Sequence, residues 1–129
     1  METSDLAGVP LLQGMSDDQV GAIASQFREV HVRSGDEVTH EDDHGATFFI
    51  VLDGSVTVKV HDEKVAELGP GDHFGEVALV TGQRRNATVK AIDTCRLAKM
   101  LAWDFSELID AHPALAARIA TAAAQRQND

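Results

Sequence analysis

The residues best suited to chemistry lie in one short segment, residues 71–89. Gly75 precedes Glu76, and Arg85 follows Glu76 by nine residues. An arginine guanidinium binds phosphate through two parallel N–H groups, and a carboxylate suits a sugar hydroxyl. Gly75 has no Cβ, so its backbone can approach a ligand closely. A site for phosphate and a sugar together indicates a nucleotide.

A short helical turn is predicted to begin at the same place. The stretch from Glu76 to Leu79 suits one turn of helix, and the first N–H groups of a helix have no partner within it. Such N–H groups attract anions. Arg85 can fold back over this point, so the backbone donors and the guanidinium would share one phosphate.

The composition limits the partners of this site. The chain has 129 residues, which suits one domain, and its net charge of −10 repels a nucleic-acid backbone. No apolar run approaches the roughly 20 residues of a membrane span, and the acidic N-terminus is unlike a signal peptide. A single cysteine, Cys95, excludes an internal disulfide. We therefore expect a cytoplasmic protein with no membrane span and no nucleic-acid binding by this chain alone.

Helices are predicted at both ends of the chain, with strands between them. In residues 1–28, Ser16 and Gln19 form a capping-box pattern ahead of apolar residues at helical spacing. Residues 29–101 contain short apolar runs separated by turns, which is typical of a sandwich or barrel. Residues 102–129 return to helical spacing.

Two stretches of the segment match a known sequence signature: Phe74-Gly75-Glu76-Val77-Ala78-Leu79, and then Arg85 with Ala87-Thr88-Val89-Lys90-Ala91. Together they resemble the phosphate-binding cassette of the cyclic-nucleotide-binding domain family. That family includes regulatory subunits of cyclic-AMP-dependent kinases, catabolite-activator transcription factors and cyclic-nucleotide-gated channels. Further landmarks, among them Gly69-Pro70-Gly71-Asp72, extend the resemblance over most of the chain.

The resemblance implies a role for each matched position. Glu76 would accept a hydrogen bond from the ribose 2′-hydroxyl, and Gly75 would approach the ribose through its backbone. Arg85 would pair with the phosphate, to which Ala78 and Ala87 would offer backbone N–H groups. The expected ligand-binding residues are Phe74, Gly75, Glu76, Val77, Ala78, Arg85, Asn86 and Ala87.

The implied fold is mainly β with flanking α-helices, an eight-stranded jelly-roll β-barrel of the cupin-like, double-stranded β-helix kind. The resemblance predicts one cyclic-nucleotide-binding domain over residues 1–129. Its parts would be N-terminal helices (1–28), a barrel (29–101) with its cassette at 74–88, and C-terminal helices (102–129). It also implies a sensor without catalytic activity.

The ligand expected from the resemblance is cyclic AMP, with cyclic GMP as the alternative and no further cofactor. Asn86 stands where a threonine is associated with cyclic GMP, and this favours cyclic AMP. In the family, the C-terminal helix covers the base and passes the signal to an effector domain or partner protein. The same helix is the surface we expect for any homodimer. The candidates for covering the base are Leu115, Arg118, Ile119 and Ala122.

Two other classes of function stay open at this point. His40 and His44, with acidic neighbours, are candidate ligands of a metal-dependent, cupin-like enzyme. Their spacing of four differs from the usual cupin spacing of two, so solvated turn residues are the simpler interpretation. A degenerate barrel that acts only as a protein-interaction domain is the other alternative.

Overall fold

The computed structural model describes residues 1–128, with side chains described through Arg126. This part of the chain contains eight strands and four α-helices. Two 3₁₀ helices come first, Thr3–Leu6 and Pro10–Leu12. The α-helices are α1 (Asp17–Ala24), α2 (Glu76–Thr81), α3 (Ala102–Ala111) and α4 (Pro113–Asn128). The strands are β1 (Arg28–Val32), β2 (Glu37–Thr39), β3 (Thr47–Asp53), β4 (Val56–Val60), β5 (Glu63–Leu68), β6 (His73–Phe74), β7 (Thr88–Ala91) and β8 (Cys95–Leu101).

The strands form two antiparallel sheets of four strands each. The first sheet has the order β1-β8-β3-β6, and the second has the order β2-β7-β4-β5. The mainly β architecture with flanking helices is confirmed. The expected closed eight-stranded barrel is not, because every strand ladder in the described residues lies within one of the two sheets. The chain crosses between the sheets in turns and in α2, which contribute no ladder hydrogen bonds.

The central strand β3 explains how the layers stack. Successive side chains of a strand point to opposite faces, and both faces of β3 are buried. Phe48 and Ile50 pack towards the helices, whereas Phe49 and Val51 pack between the two sheets. The continuous apolar run of β3 follows from this burial on both faces.

The helices cover the outer face of the first sheet. Residues of α1, α3 and α4 join the N-terminal 3₁₀ helices in one apolar cluster against Phe48 and Ile50. The residue before Pro113 ends α3, and Pro113 opens α4, as its fixed φ permits. No helix in residues 1–128 combines the length and apolar character needed to cross a membrane.

The capping box predicted at the start of α1 is present, although the helix ends at Ala24 and Phe27 is buried just beyond it. Ser16 Oγ accepts from the Gln19 N–H at 3.2 Å, and Gln19 Oε1 accepts from the Ser16 N–H at 2.9 Å.

Ser16→Ala is expected to lower the free energy of unfolding by about 1 kcal/mol, measured by urea titration. Ser25→Ala at the other end of α1 is the control, expected to cost under about 0.5 kcal/mol. Equal losses would contradict the capping role.

Candidate functional site

A cavity of about 180 Å³ opens beside α2, between the second sheet and α4. All eight residues predicted to bind the ligand contribute to its lining. The full set comprises Thr39, Val58, Val60, Val65, Ala66, Leu68, Phe74, Gly75, Glu76, Val77, Ala78, Arg85, Asn86, Ala87, Val89 and Arg126. The structure therefore brings together side chains that are far apart in sequence, from β2 to the end of α4.

Gly75 makes the turn from β6 into α2. Its φ of +96° lies in the left-handed region, and it is the N-cap residue of α2. A Cβ at this position would lie 2.8 Å from the carbonyl oxygen of Thr47 and 3.0 Å from Nη1 of Arg85. Conformation and space both require glycine here.

The guanidinium of Arg85 is held by the backbone around it. Nη1 donates to the carbonyl of Gly75 at 2.9 Å. Nη2 donates to the carbonyl and the hydroxyl of Thr47, at 2.9 Å and 3.1 Å. These three bonds fix the position of the charge beside the first turn of α2, as the sequence predicts. Thr47 itself was absent from the predicted site, because it lies 38 residues before Arg85.

The positive charge of Arg85 is buried without a direct counter-ion. The residue is 8% exposed, and burial lowers the pKa of its guanidinium, although arginine keeps its charge in proteins. Glu76 and Asp43 are close enough to oppose this shift in pKa. Among residues 1–126, however, no carboxylate forms an ion pair with Arg85. An unpaired buried cation is costly, so an anion in the cavity would stabilise Arg85.

Glu76 is completely buried in the first turn of α2 and does have a cationic partner. Nη1 of Arg126, near the end of α4, donates to Glu76 Oε1 at 2.5 Å. The other carboxylate oxygen, Oε2, has no hydrogen-bond partner. The ion pair ties α4 to α2 across the cavity, and one oxygen of the predicted ribose-binding carboxylate stays unsatisfied.

The opposite wall of the cavity is apolar. It is formed by side chains of β4 and β5: Val58, Val60, Val65, Ala66 and Leu68. Such a wall suits the flat face of a base, since apolar surface is removed from water when the base binds. The cavity therefore has a charged end and an apolar end.

The four residues predicted to cover the base do not line the cavity. Leu115 and Ile119 are buried in the apolar cluster under the helices. Arg118 Nη1 donates to the carbonyls of Leu11 and Gln13, at 3.0 Å and 2.6 Å, and thereby anchors α4 to the N-terminal segment. Ala122 is half-buried outside the cavity lining.

Among the residues of α4 whose side chains are described, Arg126 is the one that lines the cavity, and the sequence prediction missed it. A signal for it was present, because Arg126 follows Ile119 by seven residues and so lies on the same face of the helix. The apolar residues on that face, Leu115 and Ile119, led to the prediction that they cover the base instead. Arg126 continues the face beyond its apolar part.

The two residues that flank Arg85 in the sequence are exposed. Arg84 turns away from the cavity, and its Nη1 donates to the carbonyl of Asp42 at 2.8 Å. Asn86 is exposed at the edge of the cavity and contributes to its lining. The adjacent arginines Arg84 and Arg85 thus lie in different surroundings.

The candidate metal ligands do not form a cluster. His40 Nε2 lies 4.0 Å from a carboxylate oxygen of Glu37, and both side chains are half-exposed. Nowhere in the described residues do three or more His, Cys, Asp or Glu side chains come together to hold a metal ion. The metal-dependent alternative therefore lacks a supporting cluster in this part of the chain.

The sequence matches the family model of the cyclic nucleotide-binding domain over residues 29–112. This range contains the strands except for Arg28 at the start of β1, together with α2 and α3, and it covers more than half of the chain. The chain belongs to the cyclic nucleotide-binding domain family. The resemblance carried by the cassette is thereby confirmed.

A similar sequence occurs as one part of a larger channel protein. A cyclic nucleotide-gated potassium channel of Rhizobium etli is 34% identical over 122 residues, which is 95% of this chain. The chain spans only 34% of that channel's length. The remaining two thirds of the channel lie outside the aligned region.

Solved structures of two kinase regulatory proteins resemble the whole fold. The regulatory domain of Toxoplasma gondii protein kinase A with cyclic AMP superimposes with a TM-score of 0.84 and 27% identity, over 95% of this chain and 48% of that one. The regulatory subunit of a cyclic-AMP-independent protein kinase A from Trypanosoma cruzi, bound to guanosine, has a TM-score of 0.84 and 25% identity, over 97% and 46%. The same fold thus holds a cyclic nucleotide in one protein and a nucleoside in the other.

Proposed function

We propose that this chain is a non-catalytic, cytoplasmic regulatory module that binds cyclic AMP, with cyclic GMP as the weaker ligand. The observation that carries the proposal is the buried guanidinium of Arg85, which lines the cavity without a carboxylate partner among the described residues. A cyclic phosphodiester is the anion that would complete this site.

The charges of the cavity support a ligand with one negative charge. Its charged lining residues are Arg85, Arg126 and Glu76, so two cations and one anion leave a single positive charge. The chain as a whole carries −10. A local positive site on an acidic protein attracts a small anion, while the surrounding surface repels a polyanion. A cyclic nucleotide carries one negative charge and matches this balance.

Each part of the ligand would meet a matching part of the cavity. The phosphate would bind Arg85, with backbone N–H groups of Ala78 and Ala87 as further donors. The ribose 2′-hydroxyl would donate to Glu76, whose Oε2 has no partner in the structure. The base would lie on the apolar wall of β4 and β5, and Arg126 would cover it from α4. Asn86 at the edge of the cavity replaces the threonine associated with cyclic GMP, which favours cyclic AMP.

Binding would reach the rest of the protein through α4. This helix packs against α2, α3 and the second 3₁₀ helix, and the Arg126–Glu76 pair joins it to the cavity. Arg126 would leave Glu76 to cover the base, so the ligand would have different affinities for the two arrangements of α4, as a switch requires. An effector domain or partner protein would respond to α4, and the same helix would form any homodimer.

The test is calorimetric titration of the protein with cyclic AMP, cyclic GMP, adenosine and guanosine. We expect saturable binding of one cyclic nucleotide per chain, tighter for cyclic AMP. The nucleosides lack the phosphate and are expected to bind at least about 100-fold more weakly. A folded protein that binds none of the four ligands would contradict the proposal. That result would favour the alternative of a degenerate domain that only binds a partner protein.

A nucleoside is the second candidate ligand. Glu76, Arg126 and the apolar wall would hold a ribose and a base without a phosphate. The similar regulatory subunit from Trypanosoma cruzi was solved with guanosine bound. Under this alternative, guanosine or adenosine binds as tightly as the cyclic nucleotides. The cost of leaving the Arg85 charge unpaired argues against it.

A further inference from the structure

His73 is a buried titratable group to which the proposed function assigns no role. It lies in β6, two residues before the left-handed turn at Gly75, and its side chain is 15% exposed. Its ring packs against Phe48, with the ring centroids 5.7 Å apart. Its Nε2 atom is buried and has no hydrogen-bond partner.

The unpartnered nitrogen faces the buried carboxylate of the ligand site. Nε2 of His73 lies 3.8 Å from Oε1 of Glu76, which already accepts from Arg126. Oε2 of Glu76 has no partner either. A protonated imidazole can donate from both nitrogens, so a small movement of either side chain would join these two unsatisfied groups.

Charged groups from three parts of the fold act on the imidazole. Burial is the main cause that lowers the pKa of His73, and the positive charge of Arg126 on α4 acts in the same direction. Glu76 on α2 and Asp72 in the turn before β6 act in the opposite direction, and β3 contributes the apolar ring of Phe48. With Arg126 in place, His73 is therefore neutral at pH 7.

We propose that His73 is the second, proton-dependent partner of Glu76: when Arg126 leaves the carboxylate, the imidazole takes one proton from solvent and donates its Nε2–H to Glu76. The reason for Arg126 to leave, its move over the base of a bound nucleotide, rests on the proposed function. The pairing of His73 with Glu76 does not depend on it. A fully buried carboxylate cannot stay without a cation at low cost, and His73 is the nearest replacement.

The direction of the pH dependence follows from the two arrangements. With Arg126 on Glu76, burial and Arg126 both lower the pKa of His73; without Arg126, one of these two lowering influences is lost while the raising influence of Glu76 remains. The arrangement without Arg126 therefore binds the proton more tightly. Acid favours release of Arg126, and affinity for a ligand that displaces Arg126 should increase as the pH falls through the interval between the two pKa values.

The first test needs no nucleotide. Arg126→Met is expected to raise the pKa of His73, measured by NMR titration of its imidazole proton, because it removes a nearby positive charge. Arg118→Met removes an arginine from the same helix away from Glu76, and it should leave the titration of His73 unchanged. The other histidines in each spectrum report whether the fold is preserved. A His73 titration that is the same in Arg126→Met and wild type would overturn the proposal.

The second test measures protons taken up on binding. Titration with cyclic AMP near pH 6, in two buffers of different ionisation enthalpy, is expected to show net uptake of protons on binding. His73→Gln keeps a neutral donor and should abolish the uptake. Binding without proton uptake would overturn the role of His73 and leave the nucleotide site standing. Absence of all binding would instead overturn the proposed function, and the NMR titration would then decide the role of His73.

Discussion

Arg85→Ala is expected to weaken binding of cyclic AMP by roughly 30- to 1,000-fold, equivalent to about 2–4 kcal/mol. The guanidinium is 8% exposed and lines the cavity, so its hydrogen bonds to a phosphate would form out of water. Gly75 and Thr47 already hold it in position, and a ligand would bind it at little cost in side-chain entropy. Isothermal titration calorimetry of wild type and variant measures the difference.

The neighbouring arginine provides a matched control. Arg84→Ala removes the same charge one residue away, but Arg84 is exposed and donates to the carbonyl of Asp42. Its effect on affinity is expected to stay within about threefold, because exposed charges are screened by solvent. Arg85→Lys keeps the charge without the planar pair of donors and should fall between wild type and alanine. If folded Arg85→Ala bound cyclic AMP as tightly as Arg84→Ala, the phosphate assignment would be wrong.

Gly75→Ala is expected to lower the free energy of unfolding by about 3 kcal/mol or more. The left-handed φ of +96° already disfavours a side chain at this position. The added Cβ would also lie 2.8 Å from the Thr47 carbonyl and 3.0 Å from Arg85 Nη1. Either the turn or the guanidinium must move, so nucleotide affinity should fall as well. Urea unfolding followed by circular dichroism gives the stability, and calorimetry gives the affinity.

Gly82 separates the two causes of that loss. It ends α2 with a φ of +71°, also left-handed, but a Cβ there would meet nothing within 4 Å. Gly82→Ala should therefore show only the conformational cost, about 1–2 kcal/mol, with nucleotide affinity nearly unchanged. Equal losses of stability in the two variants would show that the close approach at Gly75 contributes nothing.

The charged groups of the cavity suggest how occupancy becomes a signal. Glu76 has two candidate cations, Arg126 on α4 and His73 on β6, and only the first holds α4 to the cavity. Under the proposed function, a nucleotide that draws Arg126 away would change which of them is paired. The chain spans about a third of the Rhizobium etli channel, so in a longer protein α4 would be the element that carries this change onward.

The local features of the fold and site could be predicted from sequence because neighbouring residues determine them. The Ser16 capping box, the apolar run of β3, and the Gly75 turn into α2 each depend on residues within one turn or strand. The same holds for the cassette, whose eight predicted residues lie within Phe74–Ala87 and line one cavity. Spacing over so short a segment is enough to place Glu76 and Arg85 together.

The partners of those residues were decided by tertiary structure alone. Arg126 reaches Glu76 across 50 residues, and Thr47 holds Arg85 across 38. Leu115 and Arg118 are excluded from the cavity because their part of α4 packs on the apolar cluster and the N-terminal segment, and the helix reaches Glu76 only further along, at Arg126. Two separate sheets, rather than a closed barrel, likewise depend on how the layers meet. Contacts between distant elements are determined by the packing of the whole core, which no local spacing in the sequence encodes.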